Sequence, residues 1–211
     1  MAKMTEFQTA TDICNLALIQ DGADLIDTLA DSDISDNAQL CRKLLPVITS
    51  TCLARAEWSG LTKFADLGGE VTVAEQADWE YVFNLPDDCL QVIAQIDEGD
   101  HTKKYAHIIK GRQLFTNNYS NDDGVSAYID YISVGDVSKY SPGLIEYIAL
   151  KLALAMAPKL MGISEESQLH IQGMQRELRL RVLPEAIGRN QAEGDMEGGN
   201  DEGESTWLTG R

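Results

Sequence analysis

A chain of 211 residues, 44% of them hydrophobic and 24% charged, is long enough for one sizeable core or for two small domains sharing an interface. Its 34 acidic residues outnumber 17 basic ones, a formal charge of −17. That balance argues against gripping nucleic acid through its phosphates and against an anionic membrane surface, since both need clustered Lys and Arg; solubility alone is the plainer reading.

Residues 1–8 read as a loose lead-in. Thr9 to Gln20 forms a first predicted helix, capped by Thr9 or Thr11, with Ile13, Leu16, Ala17 and Gln20 on one face and Asp21-Gly22 as its stop. An acidic connection to Ile34 is pinned by Leu25, Ile26 and Leu29. From Ser35, a good N-cap, to Trp58 the residues Ala38, Cys41, Leu45, Ile48 and Cys52 recur at helical spacing. This is the seam of a long helix packed against others, with a kink or break expected near Arg42 to Pro46 and a stop at Gly60.

After Gly60 the period changes. Glu70 to Ala74 reads as a short strand, and Trp79, Tyr81, Phe83 and Leu85 alternate with Glu80, Val82 and Asn84 as a half-buried strand halted by Pro86. Leu90 to Ile96 is another strand. His107-Ile108-Ile109 and Gln113-Leu114-Phe115 flank Lys110-Gly111-Arg112 as a hairpin. Val125 to Val134 closes the set, with Ala127, Ile129 and Tyr131 on one face.

Helical spacing returns at Ser141-Pro142, a cap followed by Pro at the first helical position. Leu144, Ile145, Ile148, Ala149, Leu152, Ala153 and Met156 cover more than one face, so this helix should be nearly surrounded before it ends around Pro158. Ser164 caps a last helix whose seam is Ile171, Met174, Leu178 and Val182, with Pro184 and Gly188 as its stop. Gly188 to Arg211 is rich in Gly, Asn and acid, and cannot bury enough surface to fold alone. The reading is therefore α+β: a four-helix bundle with a small, mostly antiparallel β unit of five or six strands inserted between helices 2 and 3, plus an extended C-terminal tail. The boundaries are 1–60 and 138–187 for the two halves of the bundle, 61–137 for the β domain and 188–211 for a flexible acidic tail.

Motifs for chemistry are sparse. Phosphate loops, dinucleotide fingerprints and the HExxH pattern are absent, and the histidines at 101, 107 and 170 are isolated. Asp31 to Ser35 resembles a calcium loop only faintly, because Asp36 stands where Gly belongs and Arg42 where the bidentate Glu belongs. The pairs Asp87-Asp88 and Asp122-Asp123 sit in predicted turns; a hydrolase with an unmarked carboxylate pair is the remaining enzyme reading, and a non-enzyme is expected. Cys14, Cys41, Cys52 and Cys89 show no CxxC spacing; the first three fall on apolar helix faces, which predicts buried, reduced thiols and fits a reducing cytoplasm. The longest apolar run, Ile148 to Ala157, carries Lys151 and falls short of the ~18 residues of a membrane span. Neither cofactor nor metal is expected. Arg176, Arg179 and Arg181 form the main basic cluster, read either as helix-dipole and salt-bridge partners or as a contact for an acidic surface such as another copy of the chain. Trp207-Leu208 reads as an anchor on a flexible tether.

Four stretches carry a family resemblance: Asp12 to Gly22 (DICNLALIQDG), Ala38 to Trp58, Leu85 to Leu90 (LPDDCL) and Ser205 to Arg211 (STWLTGR). Together they resemble the head-to-tail adaptors of tailed bacteriophages, in particular the tail tubular protein A class of short-tailed phages. The resemblance rests on order and spacing rather than on an invariant signature. It implies a virion protein without catalytic residues, made in the host cytoplasm and placed at the head–tail interface. Twelve copies would form a ring joining the portal protein to the tail tube or nozzle, and DNA would pass through its channel without specific binding. The tail residues Trp207, Leu208 and Arg211 would dock on the portal, and Gln39, Arg42, Lys43, Arg176, Arg179 and Arg181 would be inter-subunit contacts. A kink at Pro46 would set the curvature of the ring wall. The alternative is a small intracellular helical protein-binding module, such as a phage chaperone or regulator.

Overall fold

The computed structural model describes residues 9–68, 78–100, 102–118 and 126–197 as a mixed α+β chain. Thr9 opens α1 (Ala10–Gln20) with a capping box: its hydroxyl accepts from the Asp12 amide at 3.2 Å, and the Asp12 carboxylate accepts from the Thr9 amide at 3.1 Å. Asp21 ends the helix and Gly22, at φ 65°, turns the chain away. The buried face is Ile13, Cys14, Ala17 and Leu18, rotated from the expected one: Leu16 is half-buried and Gln20 exposed. Of the three pins in the following connection, Ile26 is buried and Leu29 half-buried, but Leu25 faces solvent.

Ser35 caps α2 (Asp36–Leu53), its hydroxyl accepting from the Ala38 amide at 3.3 Å. The helix runs through Pro46 without a break. The proline ring lies on the exposed face, so it removes one intrahelical bond while Ala38, Cys41, Leu45, Thr49 and Cys52 keep the opposite face buried. The helix also stops earlier than expected, at Leu53. Trp58 continued the apolar seam because it folds back into the same core, its indole N–H donating to the Cys52 carbonyl at 3.3 Å.

Among the described residues seven strands lie between α2 and α3: β1 (Thr62–Asp66), β2 (Tyr81–Asn84), β3 (Cys89–Ile96), β4 (Lys104–Tyr105), β5 (His107–Lys110), β6 (Gln113–Thr116) and β7 (Tyr128–Ser133). They make two small antiparallel sheets, ordered β1-β7-β3-β4 and β2-β6-β5. The predicted hairpin is β5–β6, closed at Lys110↔Gln113 with Gly111 at φ 61° in the turn. Strict alternation before Pro86 does not hold, since Val82 and Phe83 are both buried. In β3 the pairing with β7 shifts register between Cys89 and Gln91 and again between Val92 and Ala94, which interrupts its alternation as well. β1 and β4 have no counterpart among the predicted strands. The strand expected at Glu70 to Ala74 lies outside the described residues.

Helix α3 (Pro142–Leu160) starts as predicted, with the Ser141 hydroxyl accepting from the Leu144 amide at 3.3 Å and Pro142 at the first position. It passes Pro158, which is exposed, before ending; Gly162, at φ 70°, makes the turn. Ser164 caps α4 (Glu165–Glu177). That helix does not stop at Pro184 or Gly188. A π-helical turn over Leu178–Val182 leads directly into α5 (Leu183–Glu197), so the last helix covers part of the stretch expected to be unfolded. A proline in a helix clashes with the carbonyl four residues back; the wider turn just before Pro184 makes room for its ring and lets the helix go on.

Helix α3 is the centre of the helical core: α1, α2, α4 and α5 all pack against it. Gly143 allows the closest approach, because a Cβ there would lie 3.1 Å from the Cα of Ala186 in α5. A second core, built on Leu67, Phe83, Cys89, Leu114, Ala127, Ile129 and Tyr131, lies within the β region. Strand β7 serves both: Ile129 and Tyr131 belong to the second core and Ile132 to the helical one.

Candidate functional site

The residues singled out on α2 divide into two kinds. Arg42 is half-buried and turned into its own chain. Its guanidinium donates to the carbonyls of Leu29 at 3.2 Å, Ala30 at 2.7 Å and Asp33 at 2.7 Å. Asp31 lies 4.0 Å away. The faint calcium-loop pattern thus encloses an organic cation: carbonyls of the kind a metal would draw on are turned toward Arg42. Asp33 braces the same loop, accepting from the Ser35 amide at 2.9 Å and the Asp27 amide at 3.3 Å. Bonds from Ser35 hold its carboxyl below the usual range. Gln39 donates back to the Ile34 carbonyl at 2.9 Å, while Lys43 is exposed.

The arginines of the last helix also separate. Because the helix continues to Glu197, none of them is at its C-terminal end. Arg181 is held by Glu146 of α3 and Glu177 of its own helix, both at 2.7 Å, with Glu185 at 3.9 Å. Glu177 and Glu146 push its guanidinium above the ordinary range. Arg176 and Arg179 are exposed and form no ion pair among the described residues. Trp207, Leu208 and Arg211 lie outside the described residues.

One buried charge escaped the sequence reading. Asp21 caps the C-terminus of α1, where the helix dipole disfavours an anion, and is only 7% exposed. Neither carboxylate oxygen has a hydrogen-bond partner among the described residues. Burial pushes the carboxyl up to about 6, and the nearby His170 of α4 opposes the shift. His170 itself reaches back to α1 through the Gln20 carbonyl at 2.9 Å.

The remaining candidates are occupied structurally. Asp88 takes Lys63 at 2.6 Å and the Tyr131 hydroxyl at 3.1 Å, a link from the turn before β3 to β1 and β7. Lys63 first, then the Tyr131 bond, hold its carboxyl down, whereas burial ahead of Asp88 pushes Tyr131 up to about 12. Asp122-Asp123 and His101 lie outside the described residues, and His107 meets the Tyr105 carbonyl at 3.0 Å. All four cysteines are free and buried. The bond with Cys41 and then burial raise the Cys14 thiol, and burial lifts Cys52 to about 12, so both behave as small hydrophobes rather than nucleophiles. Among the described residues no three His, Cys, Asp or Glu side chains gather in a metal-holding group, and no helix is long and apolar enough to cross a membrane.

What stays open is surface. The outer face of the last helix around Arg176 and Arg179, both without an ion pair among the described residues, and the acidic connection before α2 are both exposed. No known family model matches the chain, and comparison with curated proteins finds no match.

Proposed function

We propose that the chain is a non-enzymatic structural subunit, a head-to-tail adaptor that assembles as a ring between a phage portal and its tail. One observation carries the reading: the element order, two helices, a β region with seven strands among the described residues, then the central helix α3 and the long α4–α5 rod, with each of these helices packed on α3. In this reading the helices are a four-helix bundle, the β region is an insertion at its end, and the bundles stand side by side around a channel. A heterologous contact of that sort closes into a ring when its rotation allows. The charge of −17 supports it further, since acid facing a channel repels phosphate and lets a genome pass without sticking. Asp88 and Arg181, whose titration is perturbed, are engaged in contacts that link elements of the fold, which favours assembly over catalysis as their use.

The test is assembly. Native mass measurement and negative-stain imaging of the full chain, alone and with portal protein, should show rings seated on the portal. A chain that stays monomeric and never joins the portal overturns the reading. Trp207→Ala should weaken portal docking by about 2 kcal/mol or more per copy if this aromatic is the anchor. Undiminished docking would remove that role from the tail.

A further inference from the structure

Helix α4 and the π-helical turn that follows it bury Ser167, Met174 and Leu178 against the core. On the opposite side Leu169, Gly173, Arg176, Leu180 and Pro184 recur at helical spacing and form a second, exposed stripe, about 22 Å long at the α-helical rise. Leu169 is 63% exposed and Leu180 69%. Gly173 leaves open space beside them, and Arg179 adds a second unpaired cation at the edge. Glu177, the acidic residue beside the stripe, is held by Arg181 at 2.7 Å, which leaves Arg176 and Arg179 as its unpaired charges among the described residues. Solvation alone does not call for large aliphatic side chains in a row.

Its complement lies on the same molecule. Between positions 21 and 36 the chain carries six aspartates and no Lys or Arg. Asp24, Asp27, Asp31 and Asp36 are exposed, and among them stand Leu25, 57% exposed, and Ile34, 80% exposed. The connection is not loose: Arg42 holds its carbonyls from inside, and Asn15 pairs with both the amide and the carbonyl of Ile26 at 2.9 and 3.0 Å. It is thus a preorganised acidic ledge with two aliphatic knobs. Within one chain no ion pair joins the ledge to Arg176 or Arg179.

We infer that the Leu169–Pro184 stripe of one copy docks on the Asp24–Asp36 ledge of a second copy, placing Arg176 and Arg179 against aspartates and Leu169 and Leu180 against Leu25 and Ile34. The two faces differ, so the contact is head-to-tail and leaves each copy with one free face of either kind. The inference rests on the assembly reading and names the surfaces that meet. Charge complementarity would steer the encounter and fix the register, with the aliphatic residues excluding water.

Charge reversal tests it on the full chain, followed by sedimentation velocity across a concentration series. The wild type should self-associate, and added salt should weaken it. Arg176→Glu with Arg179→Glu, or Asp24→Arg with Asp27→Arg, should each raise the dissociation constant about 10-fold or more. All four positions are exposed, so unchanged circular dichroism and melting temperature are expected of both variants. Mixing the two variants in equal amounts should restore association, because each contact between unlike variants is again opposite in charge while contacts between like variants stay repulsive. Association untouched by reversal, or lost without rescue on mixing, overturns the inference. So does a wild type that stays monomeric to about 200 μM, well above the range of ordinary specific contacts. That last result leaves the adaptor reading standing if rings still form on the portal, which separates the two failures.

Discussion

Asp21 is where a single residue most visibly shapes the behaviour of the whole. In the folded chain its carboxyl holds a proton up to about pH 6, while in the unfolded chain it releases that proton near its ordinary value of 3.8. The folded state therefore binds the extra proton between those values. The stability this confers is complete below the unfolded value and is lost as pH rises through about 6. The difference corresponds to about 3 kcal/mol. Asp21→Asn should remove the dependence, raising stability by about 2–3 kcal/mol at pH 7.5 and changing it little at pH 3.5, as read by urea unfolding. Equal stabilities at pH 7.5 would mean that the carboxylate carries no burial cost. Arg42 works in the other direction. Arg42→Leu keeps much of the aliphatic stem but leaves the carbonyls of Leu29, Ala30 and Asp33 without their donor. It should lower stability by about 2 kcal/mol or more and speed amide exchange at Asp27 and Ser35.

At the scale of elements, two glycines in helices have opposite roles. Gly173 meets nothing within 4 Å, so Gly173→Ala should stabilise α4 by about 0.5–1 kcal/mol through helix propensity alone. Gly143→Ala should destabilise, because the new methyl would meet the backbone of Ala186 at 3.1 Å and force α3 and α5 apart. Thermal melts of the two variants should move in opposite directions. The same contrast between local and distant causes explains what could be read beforehand. Ser35, Ser141 and Ser164 announced their helices, and Lys110-Gly111-Arg112 its hairpin, because capping and turn chemistry act over a few residues. β1 was hidden because it is an edge strand exposed along most of its length, leaving no alternation to detect. The continuation through Pro184 depends on a π-helical turn that no local pattern advertises, and Trp58 mimicked a longer α2 by returning to its core. Of the candidate contacts, Arg42 and Arg181 proved to be occupied within the chain, which depends on where a distant loop and a neighbouring helix lie.

For the molecule as a whole, the boundary between core and tail moves. α5 packs through Ala186 and Ile187, and Asn190 donates to the Glu57 carbonyl beyond α2. Truncation after Glu197 should leave the melting temperature unchanged. Truncation after Ile187 should lower it by about 3 °C or more, since it removes that bond and the last turns of the helix. Equal melts would show that the added helix contributes nothing to the core.

Strand β7 carries a further consequence. Its neighbours Tyr131 and Ile132 point into different cores, so a slip of one residue would expel the occupants of both at once. Each core thereby proofreads the register on behalf of the other. The two cannot settle independently, and a chain with either one misassembled is marked by exposed apolar surface before it could be built into anything larger.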